Sequence, residues 1–204
     1  MPLFGDPHRK NLRDAGWHSR GYLPHFDGAA KPQFVTFHLA DSIPRHVLQH
    51  WRDELKTLNR EYERIVLQRR IEHYLDYGYG EAFLKRSDIA EMAQDSLLKF
   101  DGIRYQLFAW VVMPNNVHTL LTRFEGFELS NILQAIKSFT AHQANKTLGR
   151  TGQFWMLECF DRYIRSEKHF DSAVTYIENN PVKAKLCQRP EEWPFSSASF
   201  KQRK

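Results

Sequence analysis

The sequence predicts an α+β fold, an antiparallel sheet with helices packed on one face. Two observations carry that expectation. Segments with period two and segments with period 3.6 follow one another in the order strand, helices, two strands, helix, strand, helix. The two middle strands are separated only by Pro114-Asn115-Asn116, short enough to pair them as a hairpin. A chain of 204 residues with 42% hydrophobic and 14% aromatic residues can also fill one core, and fits one embellished domain better than two.

Residues 1–32 mix Gly, Pro, His and charge without a period, so they are expected to form an irregular arm preceding a domain at 33–204. Gln33-Phe-Val-Thr-Phe-His-Leu alternates and predicts a half-buried strand. Asp41-Ser42 and Pro44 open a helix whose stripe is Leu48, Trp51, Leu55, Leu58, Tyr62 and Ile65, fading towards Tyr74. Asp88, with Glu91 three residues on, caps a second helix with Ile89, Met92, Ala93, Leu97 and Phe100 inward. Asp101-Gly102 turns into a strand over Ile103–Met113, and Val117–Thr122 is the next strand. Leu129, Ile132, Leu133, Ile136 and Phe139 mark a third helix that ends near Gly149. Asp161–Arg165 is a short strand, and a last helix runs from Glu167 to Asn180, before Pro181.

No run of 18 apolar residues occurs and no charged-then-apolar leader opens the chain, which predicts a soluble intracellular protein with no membrane partner. Cys159 and Cys187 stand 28 positions apart with no second pair, as two ordinary reduced thiols. The net charge is +5, and between Lys137 and Arg189 nine basic residues face five acidic ones. Such an excess permits an anionic partner.

On a wheel of about 100° per residue, the last helix turns Phe170, Ala173, Val174 and Ile177 to the core. Tyr176 then falls on the edge of that stripe beside His169, Ser172 and Asn180. Residues i and i+4 stack, so Tyr176 and Asn180 can reach one site. In Met113-Pro-Asn-Asn-Val-His118, the alternation of a strand puts Asn116 and His118 on one face. Taken singly, a boundary tyrosine and a strand histidine are most often structural.

Together these segments resemble the REP-associated tyrosine transposases, members of the HUH-type single-strand DNA transposases. The strand resembles their usual Met-Pro-Asn-His-apolar-His signature. Lys137-Ser-Phe-Thr-Ala-His142, Gly149-Arg-Thr-Gly-Gln-Phe-Trp155, Phe160-Asp-Arg-Tyr-Ile-Arg165, Tyr176-Ile-Glu-Asn-Asn-Pro-Val-Lys183 and Trp193-Pro-Phe-Ser-Ser197 match in the same order, so the likeness runs from Gln33 to Phe200. It implies a ferredoxin-like sheet, a nucleophilic Tyr176, and His118 and Asn180 as ligands of Mg²⁺ or Mn²⁺. Single-stranded DNA with hairpins is the implied partner and a cytoplasmic, nucleoid-associated location the implied place, with monomer and homodimer both open. The departure is Asn116, where the family has histidine; an amide oxygen in place of an imidazole weakens a metal site. His38 on the first strand compensates if it faces the site. Lys137, Arg150, Arg162, Arg165 and Lys183 are the candidate phosphate contacts, and Phe154 and Trp155 can stack on bases, although a Trp in such a loop is more often core. Arg20, Tyr22 and His25 of the arm are candidates for a groove or hairpin base. The rival expectations are a catalytically silent hairpin-DNA binder and an RNA-binding module on a similar sheet. The latter is disfavoured because no strand carries an Arg/Lys-Gly-aromatic-Gly-aromatic run.

Overall fold

The computed structural model describes residues 31–76 and 78–202, together with the backbone of two short strands further upstream. Those strands, β1 (Trp17–Ser19) and β2 (Pro24–Phe26), pair antiparallel. The arm is therefore not wholly irregular. Three-residue strands are too short for a period to show in the sequence.

Four strands form the central sheet: β3 (Gln33–His38), β4 (Tyr105–Val112), β5 (Asn116–Arg123) and β6 (Phe160–Tyr163). Their order is β4-β5-β3-β6, and every neighbouring pair is antiparallel. The α+β class and the β4–β5 hairpin are as expected. β3, however, is buried along its whole length rather than on one side. It is an interior strand with helices over both faces, so alternation here separates two cores, not core from water.

Helices α3 (Ser87–Leu98) and α4 (Leu129–Leu148) form the expected helical layer. Ile89, Ala93 and Leu97 of α3 and Ile132, Leu133 and Ile136 of α4 pack there on Val35, Phe37, Val117 and Leu121. The other face carries α5 (Glu167–Lys183), whose Ala173 and Ile177 meet Phe34, Val111 and Leu120. A one-faced description thus omits α5. A register shift between Leu107 and Ala109 resets the alternation of β4, so that Leu107 faces the same core as Trp110 while Ala109 and Val111 face the other.

Three helix boundaries and one expected core position differ from the sequence expectation. The stripe from Leu48 to Ile65 is split between α1 (Arg45–Leu55) and α2 (Arg60–Asp76), because Asn59 caps a new helix by accepting from the Tyr62 amide at 2.9 Å. Tyr62 and Ile65 are consequently exposed, and Leu67, Ile71 and Leu75 pack on Leu48 and Leu55 instead. Asp88 lies inside the first turn of α3, after Arg86, rather than capping it. Phe139 is exposed, while Gly149 does end α4 in the left-handed conformation at φ 63°. α5 continues past Pro181 to Lys183: proline removes its own amide and crowds the turn before it, but the amides after it remain, and Ala184 and Leu186 close the last turn on the carbonyls of Asn180 and Pro181 at 3.0 and 2.9 Å.

The C-terminal segment then clasps the site helix. The Trp193 indole donates to the Val112 carbonyl at 2.9 Å, and the Ser197 hydroxyl of α6 (Ser197–Gln202) donates to Glu178 at 2.8 Å. Cys159 and Cys187 form no disulfide.

Candidate active site on the polar face of the sheet

The two asparagines of the β4–β5 turn have different tasks. Asn115 is a pin: its side-chain amide donates to the carbonyls of Leu75 and Tyr79, and its own carbonyl accepts from the Leu39 amide and the Ser42 hydroxyl. The Met113 amide donates to the Asn116 carbonyl at 2.8 Å, which closes the turn. Asn116 is thereby fixed as the first residue of β5, with its side chain on the face that α5 covers.

His118, two residues on, shares that face. Its Nε2 lies 2.8 Å from Asn116 Nδ2 and its Nδ1 lies 2.7 Å from the Thr36 hydroxyl. With the Asn116 amide donating to Nε2, the ring proton sits on Nδ1 and donates to Thr36. The ring is fully buried, and that desolvation, with the positive charge of Lys183, lowers its pKa to about 3. His118 is therefore neutral at physiological pH.

Tyr176 stands edge-on to His118, ring centroids 5.5 Å apart, and Phe34 lies 5.7 Å from each. The tyrosine is half-buried and borders an open depression lined by Lys168, Asp171, Ser172 and Thr175. Its ring is thus anchored inside while its rim is reachable from solvent. One turn along, Asn180 is 2% exposed and its Nδ2 has no hydrogen-bond partner. The helix thus presents a reactive-type hydroxyl and a buried, unsatisfied amide together, as the i, i+4 spacing predicts.

Of the five candidate phosphate contacts, two come to this site. The Arg162 guanidinium lies over Phe34 at 5.6 Å and Lys183 Nζ lies 5.7 Å from the Tyr176 ring. Arg165 stacks on Tyr163 at 5.1 Å, nearby but outside the His118–Tyr176 group. Arg150 lies over Phe83, against the opposite core. Lys137 donates to the carbonyls of Met156 and Leu157, where burial lowers its pKa; it holds a loop in place. Phe154 and Trp155 are buried in the core under α3 and α4, with the indole donating to Thr140, so neither is available for stacking on a base. Arg20 and Tyr22 lie outside the described residues, and of His25 only the backbone, in β2, is described.

Sequence reasoning missed Thr36 and Phe34. Both are legible only once register is known, since Thr36 is the cross-strand partner of His118. His38, by the same register, is the partner of Asn116.

The donor types present fit a hard divalent cation as one neutral imidazole, on His118, and the amide oxygens of Asn116 and Asn180. That set is weaker than one containing carboxylates. Among the described residues no three His, Cys, Asp or Glu side chains gather at one point.

Fold and site together define an α+β protein in which a His–Asn strand pair faces a helix-borne tyrosine. No protein-family model matches the chain. Over 109 residues it is 28% identical to the REP-associated tyrosine transposase of Escherichia coli (strain K12), a match spanning 52% of this chain and 63% of the relative. The chain is thus similar over that stretch, about half its length, to a transposase of the kind that the motifs resemble. A solved structure of a REP-associated tyrosine transposase bound to a REP hairpin covers 90% of this chain, and this chain covers 82% of it, with 20% identity and a TM-score of 0.52; the two share the α+β fold. Among the described residues, no helix is long and apolar enough to cross a membrane.

Proposed function

We propose that this chain cleaves and rejoins single-stranded DNA at hairpins, with Tyr176 as the nucleophile. The observation that carries this reading is the packing of Tyr176 against neutral His118, with Lys183 over the tyrosine ring and Arg162 over the neighbouring Phe34. In the proposed reaction the Tyr176 oxygen attacks the scissile phosphorus in line and loses its proton. The bond from phosphorus to the 3′ oxygen breaks, that oxygen takes up a proton, and a 5′-phosphotyrosine and a 3′-hydroxyl result. Arg162 and Lys183 hold the phosphate backbone against the tyrosine. His118, oriented by Thr36, offers Nε2 to a cation, with Asn116 and Asn180 as the other donors. Bound Mg²⁺ or Mn²⁺ supplies polarisation of the scissile phosphate and neutralisation of its developing charge. The link to tyrosine conserves the phosphodiester's energy, so a second 3′-hydroxyl can reverse the step. The hairpin bound by the structural relative supports the choice of DNA shape.

The test is incubation with labelled hairpin oligonucleotides, with and without a single-stranded flank, in Mn²⁺. A covalent protein–DNA band on a denaturing gel, dependent on the flank, is expected. Its failure to appear across a Mn²⁺ titration would remove the cleavage reading. One observation favours a second reading, a hairpin binder without cleavage: the Asn116 amide already occupies the His118 Nε2 lone pair. In that case hairpin affinity survives and no adduct forms.

A further inference from the structure

We propose that His38 supplies the second imidazole of the metal site, so that a divalent cation is held across two strands by His38 and His118 with Asn116 between them. This rests on the metal-dependent reading above and names a ligand that the strand motif does not contain. The family motif places its two histidines two residues apart on one strand. Here position 116 is asparagine, yet its cross-strand partner is a histidine.

The geometry follows from register. β3 and β5 pair antiparallel with His38 opposite Asn116 and Thr36 opposite His118. Opposed residues share a face, so Thr36, His38, Asn116 and His118 form one contiguous square. The neighbours confirm the side: Phe37, Leu39 and Val117 point into the core under α3 and α4, while Phe34 and Leu120 point under α5. His38 and His118 are diagonal partners, with Cα atoms roughly 7–8 Å apart in such a sheet, within reach for aromatic side chains. Imidazoles on such a diagonal can converge on one ion once the Asn116 amide, whose Nδ2 lies 2.8 Å from His118 Nε2, turns its oxygen to the same point.

The state of His38 suits ligation. It is 3% exposed, and its Nδ1 bonds the Leu39 carbonyl at 3.0 Å. That bond puts the proton on Nδ1 and leaves the lone pair on Nε2, the second-shell arrangement common for metal-binding histidine. Burial lowers its pKa to about 4, with Lys137 lowering and Asp41 raising it, so the ring is neutral without a metal. Lys137 is itself tied to the carbonyls of Met156 and Leu157. His38 and His118 are thus two buried, neutral imidazoles on adjacent strands, each with Nδ1 occupied by an oxygen partner.

The experiment is metal titration of the full chain without DNA, with Mn²⁺ followed by EPR and Co²⁺ by visible absorption. The parent is compared with His38→Ala, His118→Ala and the exposed-site control His142→Ala. Loss of a direct ligand is expected to weaken binding at least about tenfold for both His38→Ala and His118→Ala, no less than the loss of an outer-shell partner, with His142→Ala unchanged. His38→Cys keeps a ligand at that position and, with Cys159 and Cys187 both changed to Ser in parent and variant and the fold checked by circular dichroism, is expected to give a thiolate-to-Co²⁺ charge-transfer band that the parent lacks. If His118→Ala loses metal while His38→Ala binds as the parent does and His38→Cys shows no such band, His38 is not a ligand and the metal-dependent reading stands. If the parent binds neither ion, or His118→Ala binds like the parent, the metal reading fails and the proposal with it.

Discussion

On the face under α3 and α4, β3 and β5 contribute Val35, Phe37, Leu39, Val117 and Leu121 to the core. On the face under α5 the same two strands contribute Thr36, His38, Asn116 and His118 beside Phe34 and Leu120. Both faces are equally hidden from water, so burial alone does not separate them. Chemistry does. Buried polar groups cost stability unless they are bonded, and apolar side chains in their places would pack without that cost. The other face of these strands buries Gln33 and Thr119 among its apolar residues, whereas here four polar side chains are contiguous with the unsatisfied Asn180 amide above them, which supports the site proposed above. Breaking each face separately should have different consequences.

The largest expected effect is on the polar side. Tyr176→Phe removes one oxygen and keeps the ring that packs on His118 and Phe34. The covalent adduct should vanish while hairpin affinity stays within a few-fold. An adduct that persists in this variant would take Tyr176 out of the mechanism. On the apolar side, Leu121→Ala opens a cavity in a fully buried position and should cost about 2–5 kcal/mol of stability. Urea melts check the loss, and cleavage per folded molecule should be unchanged at low temperature. If cleavage falls with Tyr176 and His118 still ordered, the two faces are coupled and the division proposed here is wrong.

Asn116→His sharpens the comparison by adding an imidazole to the polar square. Cleavage should rise about tenfold, equivalent to about 1.4 kcal/mol of barrier. Equal rates for parent and variant across a Mn²⁺ titration would mean that the existing donors, His38 among them, already suffice.

Much of this contrast was legible before any coordinates. The strand alternation placed Asn116 and His118 together, and the helical wheel put Tyr176 at the edge of the α5 stripe with Asn180 one turn on. The two helices after β3 were misread as one because Leu55, Leu58 and Tyr62 keep a helical spacing across a break that Asn59 creates. α5 starts at Glu167 as expected but runs past Asn180, because proline removes its own hydrogen bond and leaves the amides after it free to close the turn. Cross-strand partners were beyond reach: no local pattern shows that Thr36 will meet His118, or that His38 will oppose Asn116. The fates of Lys137 and Arg150 were hidden for a similar reason. A basic residue meeting backbone carbonyls or a phenyl ring looks, in sequence, like one that meets phosphate.

The smallest effect expected is a slope with pH, and it also belongs to the polar face. His38 and His118 have folded pKa values lowered by burial to about 4 and about 3, from an unfolded value of 6.5. Below 6.5 the unfolded chain binds protons at both positions while the folded chain does not. Stability is therefore complete above that pH and declines as pH falls, until each folded value is passed. The loss approaches about 1.4 kcal/mol per pH unit for each histidine well inside the window, and is only a fraction of that near pH 6. Carboxylates paired in the fold, such as Asp88 with Arg86, add a slope of the same sign at lower pH. The histidine share is isolated by comparing the parent with His118→Asn, which keeps a polar side chain against Thr36 and Asn116. Urea melts between pH 7 and pH 5 should give a shallower decline for the variant, even if its stability at pH 7 is lower. Parallel curves would mean that His118 takes up its proton in the folded protein. Its ring would then be open to solvent rather than sealed beneath Tyr176 as a neutral donor.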